Sequence, residues 1–224
     1  MSKTPANANV VANDNFGQTG KFVRENQKSL VFIGAAIVAM IVIYVLYQKL
    51  YLAPRETEAT NQMYVAQEAW AKKDWDKAIK GDAGYPGFET IVSKYSNTKA
   101  ANLAYFYLGV AYLNKGEYRK AVESFDEYRG DDSMVAAEAY GNTADAYIEL
   151  KEFDKAVTYF KKAIDKAKNP FLSPLYLKKL GLTYEAQNDF KSAADAYKSI
   201  KTDYPESAEA QNVDEYIARA EAKL

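Results

Sequence analysis

One five-residue pattern occurs four times: acidic, aromatic, any residue, polar, alanine. It reads Asp74-Trp75-Asp76-Lys77-Ala78, Glu117-Tyr118-Arg119-Lys120-Ala121, Glu152-Phe153-Asp154-Lys155-Ala156 and Asp189-Phe190-Lys191-Ser192-Ala193. The alanines stand 43, 35 and 37 residues apart. A tyrosine precedes the last three by nine residues (Tyr112, Tyr147, Tyr184), and an aromatic follows them by four (Phe125, Phe160, Tyr197). A period of this size marks a repeat architecture. Each part has a physical role. Amphipathic segments flank the pattern, as in Leu108, Val110, Tyr112 and Leu113 before it and Val122, Phe125 and Tyr128 after it. The polar turn between them needs a left-handed residue to end the first helix. Gly116 supplies it readily, Asn188 less comfortably and Lys151 worst, so the Lys151 turn is expected to be strained or differently shaped. The acidic residue opens the second helix, where the macrodipole favours negative charge. The aromatic fills the angle between the helices. Alanine stands where the two helices cross too closely for a larger side chain. One hairpin cannot bury its apolar face alone, whereas stacked hairpins can, as a right-handed superhelical array.

These residues resemble the tetratricopeptide repeat. Tyr105, Leu108, Gly109, Tyr112, Gly116, Ala121 and Phe125 match its pattern closely. The next unit carries Tyr140, Ala144, Tyr147, Ala156, Phe160 and Ala163, and the last Leu177, Leu180, Gly181, Tyr184, Ala193, Tyr197 and Pro205. Tyr128 and Ile200 replace the usual second alanine, and Thr143 replaces the leucine before the small residue, which predicts locally wider helix packing. The first unit is degenerate: KGDAGYPG interrupts it, and Phe88, Ile91 and Tyr95 then resume as the counterparts of Tyr197, Ile200 and Tyr204. That reads as an insertion. After Pro205, Ala210, Val213, Ile217 and Ala220 share one face of a terminal capping helix.

A second feature lies upstream. From Ser29 to Gln48 no residue is charged, and Lys28 and Lys49 bound the run. Twenty helical residues span roughly 30 Å, the thickness of a bilayer core. The polar stretch before it is long for a signal peptide, and the run is too long for its apolar region. A retained anchor is expected, with Tyr44, Tyr47 and Tyr51 at the interface. Lys3, Lys21, Arg24 and Lys28 precede the span and Lys49 and Arg55 follow it, which favours a cytoplasmic N-terminus. Gly34, Ala35 and Ala39 form a small-residue patch that another membrane helix could approach. Residues 1–20 are rich in Asn and poor in large apolar side chains, and are expected to be a disordered tail.

The predicted fold class is therefore all-α: an N-terminal transmembrane helix, then a tetratricopeptide-repeat solenoid with a C-terminal capping helix. The expected layout is a tail (1–20), a juxtamembrane segment and span (21–50), and a repeat domain (51–224). Within that domain lie a degenerate repeat (56–98), repeats at 102–135, 137–170 and 174–207, and the cap at 206–223.

The chain has no Cys and no His, which excludes Cys/His zinc sites and the Ser-His-Asp and Cys-His nucleophile systems. With 29 Lys and Arg against 30 Asp and Glu, it carries no footprint for nucleic acid. Carboxylate pairs such as Asp131-Asp132, or Asp76 with Asp82, read as solvated repeat surface. No enzyme activity, cofactor, metal or small-molecule substrate is expected.

Tetratricopeptide arrays bind peptides or helices in a groove lined by the first helix of each repeat. The resemblance implies groove positions at Leu103, Phe106, Val110 and Asn114, then Glu138, Gly141, Asp145 and Glu149, then Leu175, Lys178, Leu182 and Glu185. Phe106 and Val110 stand where carboxylate-clamp relatives carry polar groups, so a helix or hydrophobic segment is the expected ligand. The order of tail, single span and outward repeats, with the segment FETIVSKYSNTKAANLAYFYLGVAYLNKGEYRKAVESF, also resembles the bacterial inner-membrane family of ancillary SecYEG translocon subunits, over roughly residues 20–224. That resemblance implies a single-pass anchor in the bilayer, a periplasmic repeat domain, and partners among translocon subunits and periplasmic chaperones or prolyl isomerases. A scaffold for envelope assembly or cell division, and a cytosol-facing preprotein receptor, are the alternatives.

Overall fold

The computed structural model describes residues 23–224. The expected tail at 1–20 and the basic residues Lys3 and Lys21 lie outside the described residues. The chain divides into two compact units, residues 1–54 and 55–224.

In the first unit, helix α1 (Gln27–Leu46) is followed by a π-helical segment (Tyr47–Leu52). No residue of either is buried. An 18-residue window here has a mean hydropathy of 2.8, long and apolar enough to cross a membrane. Gly34, Ala35 and Ala39 are exposed along α1. At the far end the Tyr47 and Tyr51 rings stack at 5.3 Å.

The second unit is a run of antiparallel helix pairs. Helix α2 (Ala53–Ala71) pairs with α3 (Trp75–Lys80) and α4 (Phe88–Lys94), and α5 (Lys99–Asn114) with α6 (Tyr118–Glu127). Then α7 (Ser133–Glu149) pairs with α8 (Phe153–Ala167), and α9 (Leu172–Ala186) with α10 (Phe190–Asp203). A 3-10 turn (Ala208–Asn212) leads into α11 (Val213–Glu221), which buries Val213 and Ala220 on the last pair.

The repeated residues occupy the places their chemistry requires. Ala78, Ala121, Ala156 and Ala193 are all fully buried at helix crossings. At Gly109 and Gly181 the helices approach so closely that an added Cβ would sit 2.6 Å from the Phe125 ring and 2.3 Å from the Tyr197 ring. The turn residues Gly116, Lys151 and Asn188 all take positive φ (77°, 61° and 59°), and Lys73 does the same in the first pair (61°). The Lys151 turn is thus not differently shaped: lysine adopts the left-handed geometry the hairpin needs. Of the four acidic openers, Asp74 and Asp189 accept the backbone N–H three residues on, as an N-cap should. Glu117 and Glu152 instead form ion pairs with Lys120 and Lys155 at 2.7 and 2.6 Å.

Two expectations are refined. The insertion in the first pair is a miniature β-hairpin, β1 (Gly81–Asp82) against β2 (Tyr85–Pro86), spliced between α3 and α4. Phe88, Ile91 and Tyr95 resume beyond it fully buried, as do Tyr197 and Ile200. Tyr128 does not widen a helix crossing. It stands in extended conformation one residue beyond the end of α6, so the helix stops where the alanine is missing. Thr143 is buried with its hydroxyl donating to the Ala139 carbonyl at 2.7 Å, so the polar group is satisfied.

Candidate protein-interaction groove

The first helices of the three full repeats, α5, α7 and α9, place the twelve expected groove positions in four rows. Leu103, Glu138 and Leu175 form the first row and are half-buried. In the second row, Phe106 is buried, with its ring near Phe125 and Tyr128 (centroids 6.1 and 5.9 Å). It is a core side chain, so the expectation that it lines the groove is corrected. The cause is the early end of α6, which lets Tyr128 fold over it. Gly141 faces the Tyr176 ring, where a Cβ would lie 2.2 Å away. The Lys178 ammonium sits 4.7 Å from the centre of the Tyr216 ring on α11, so the cap already engages it.

The third and fourth rows form the open part. Asp145, Asn114 and Glu149 line a cavity of about 350 Å³ with Leu113, Tyr118 and Ile148. Asp145, Ile148 and Leu182 also line a neighbouring cavity of about 190 Å³, with Phe153, Phe160, Lys179, Thr183 and Ala186. The two share Asp145 and Ile148. The structure thus brings together Asn114, Asp145, Glu149 and Leu182. Val110 is half-buried and outside both cavities; its carbonyl accepts the Asn114 side-chain amide at 2.8 Å. Glu185 is held by Arg219 of the cap at 2.8 Å and by the Tyr197 hydroxyl at 3.0 Å.

The electrostatics are acidic on an apolar floor. Asp145 is paired with Lys179 at 2.6 Å, yet burial outweighs that attraction and raises its carboxyl above the usual range. Glu138 is raised by burial, with Asp132 adding to it. Tyr176 is pushed well up by burial, with Glu138 and Asp145 adding to it. Leu182 is 42 % exposed, an apolar side chain presented to solvent at the mouth. Among the described residues no group of three or more His, Cys, Asp or Glu is placed to hold a metal ion.

Sequence reasoning missed Ile148, Tyr118, Phe153 and Lys179. Tyr118 and Phe153 are the aromatics of the five-residue pattern and read as interhelical filler, whereas they are only half-buried. Lys179 carried a signal: it lies 34 residues after Asp145, one repeat on. A further cavity of about 600 Å³ lies by the loop after α6, where the Lys162 ammonium covers the Tyr159 ring at 4.3 Å.

Tetratricopeptide-repeat family models match residues 100–169 and 142–208. The chain is 25% identical over 142 residues to the protein ycf37 of Guillardia theta, covering 62% of this chain and 73% of the relative. Among solved structures, MamA is similar at a TM-score of 0.54 and 21% identity, over 74% of this chain and 91% of MamA. A tetratricopeptide repeat protein from Parabacteroides merdae is similar at 0.60 and 16% identity, over 74% of this chain and 61% of that one. The stacked pairs across residues 100–208 are therefore tetratricopeptide repeats, and the second unit is an all-α scaffold of the kind that mediates protein–protein interaction.

Proposed function

We propose that this chain is a membrane-anchored adaptor that holds protein segments in the groove of its repeats, as an accessory subunit of the Sec translocon linking it to extracytoplasmic chaperones or prolyl isomerases. The observation that carries the adaptor reading is the pair of adjoining cavities built from consecutive repeats and joined at Asp145 and Ile148. An occupant that suits them is an amphipathic segment, with an apolar side chain on Leu182 and Ile148 and a basic one toward Glu149 and Asp145. The uncharged run 29–48 supports the anchor, and the excess of Lys and Arg before it supports a cytoplasmic N-terminus in a bacterial inner membrane with the repeats in the periplasm. Gly34, Ala35 and Ala39 are the proposed contact for a partner's membrane helix. The resemblance in overall layout supports the translocon assignment.

The chain has no Cys, so single thiols at Ala83 and at Lys3 report orientation cleanly. An impermeant maleimide on intact cells is expected to label Ala83→Cys alone; labelling at position 3 alone overturns the topology and favours a cytosol-facing receptor. Photo-crosslinkers at Asn114 and Leu182 are expected to recover Sec subunits or periplasmic folding factors. Recovery of division or cell-wall proteins without Sec subunits refutes the translocon role and favours an envelope scaffold.

A further inference from the structure

We propose that the edge of the repeat unit formed by its inter-repeat loops rests on the lipid bilayer, with Phe171 as the apolar contact; this rests on residues 29–48 being a membrane span. Antiparallel pairs stacked in register put the turns at Lys73, Gly116, Lys151 and Asn188 on one edge. The loops that lead into α5, α7 and α9 lie on the other. The second unit begins on that loop edge. Arg55 donates to the Lys94 carbonyl, and the Glu56 carboxylate accepts the Lys99 and Ala100 N–H groups at 2.6 and 2.9 Å. The seven residues from Gln48 to Arg55 cover at most about 25 Å even when fully extended. A bilayer that holds the span therefore lies within that reach of Arg55.

Phe171 is 78 % exposed, the most exposed large apolar side chain among the described residues of the second unit. Its loop is built to display it. The Asn169 side chain accepts the Phe171 and Leu172 N–H groups at 2.9 and 2.8 Å, the Asn169 N–H donates to the Ser173 hydroxyl at 3.2 Å, and Pro170 stiffens the tip. Lys168 beside it is exposed and Lys166 half-exposed, with Asp165 the nearest acid along the chain. An aromatic ring preceded by two cations suits the headgroup region of a bilayer containing anionic lipid. Met134, in the first turn of α7, is also exposed, but the acids Asp131 and Asp132 immediately precede it, so the contact centres on Phe171.

The test uses the full chain in vesicles of phosphatidylethanolamine and phosphatidylglycerol, with a nitroxide on Phe171→Cys or, on the opposite edge, on Asn188→Cys. Power saturation is expected to show oxygen-favoured, lipid-like accessibility at 171 and aqueous accessibility at 188. Equal aqueous accessibility at both positions overturns the proposal. Shielding at 171 that disappears on dilution of protein in lipid also overturns it, in favour of a contact between proteins. Carbonate extraction of the same vesicles separates the two readings. Release of the chain defeats the anchor itself, whereas retention with an aqueous 171 defeats the edge contact alone.

Discussion

Lys73 and Lys151 hold backbone angles that favour glycine (φ 61° at each), while the equivalent Gly116 holds φ 77° without a Cβ to clash. The left-handed conformation costs a non-glycine residue roughly 1–2 kcal/mol, partly offset by the entropy that glycine loses on folding. Lys73→Gly and Lys151→Gly are each expected to stabilise the repeat unit by about 1 kcal/mol, read as a higher urea midpoint. Asp145 gives the opposite kind of lever. Its folded pKa is raised, so the native state binds the proton more tightly than the unfolded chain. Stability from this group therefore grows as pH falls from the raised value toward the unfolded one, near 4. Asp145→Asn mimics the protonated form. It is expected to be more stable than the parent at pH 7, with the difference fading toward pH 4 in parallel urea titrations. The effect is modest because the side chain remains 31 % exposed.

At the scale of the element, the helix pairs depend on close crossings and on caps. Ala156 is fully buried where α8 meets its neighbours, so Ala156→Leu forces them apart at a cost of about 1–3 kcal/mol. Loss of helical circular dichroism at lower temperature checks this. The first turn of α5 is capped from a distance, since Glu56 accepts two of its N–H groups while Thr98 accepts a third at 3.0 Å. Glu56→Ala should cost about 1–2 kcal/mol and speed hydrogen exchange at Ala100. The helices were legible in the sequence because alanines and aromatics at fixed offsets report directly on crossings. The contact of Glu56 with residues 99–100, over forty residues away, has no local signature. Neither has the cover that Tyr128 places over Phe106: the spacing sets Phe106 on the groove face, but whether a neighbour closes over it depends on where α6 stops. The candidate groove was legible only in which of its positions share the two cavities. Asn114, Asp145, Glu149 and Leu182 meet, while Lys178 and Glu185 are taken up by a capping helix whose apolar face was evident but whose Tyr216 and Arg219 contacts were not.

On the scale of the whole molecule, the apolar interior of the repeat unit is three clusters in series. One centres on α2 to α6, one on α7 to α9, and one joins α9, α10 and α11. Polar links join the first helices of successive pairs at the repeat spacing: Lys179 of α9 with Asp145 of α7, and Arg219 of α11 with Glu185 of α9. Each layer is thus supported mainly by its neighbours, and the terminal helix occupies the place of a next repeat's first helix.

Three cores in series make the fold modular under stress. A pull on the C-terminus would peel off α11 and α10 while the tier built on α2 stayed intact, so a partner gripping the far end could tug the array open stepwise, like a zip fastener sewn shut at one end.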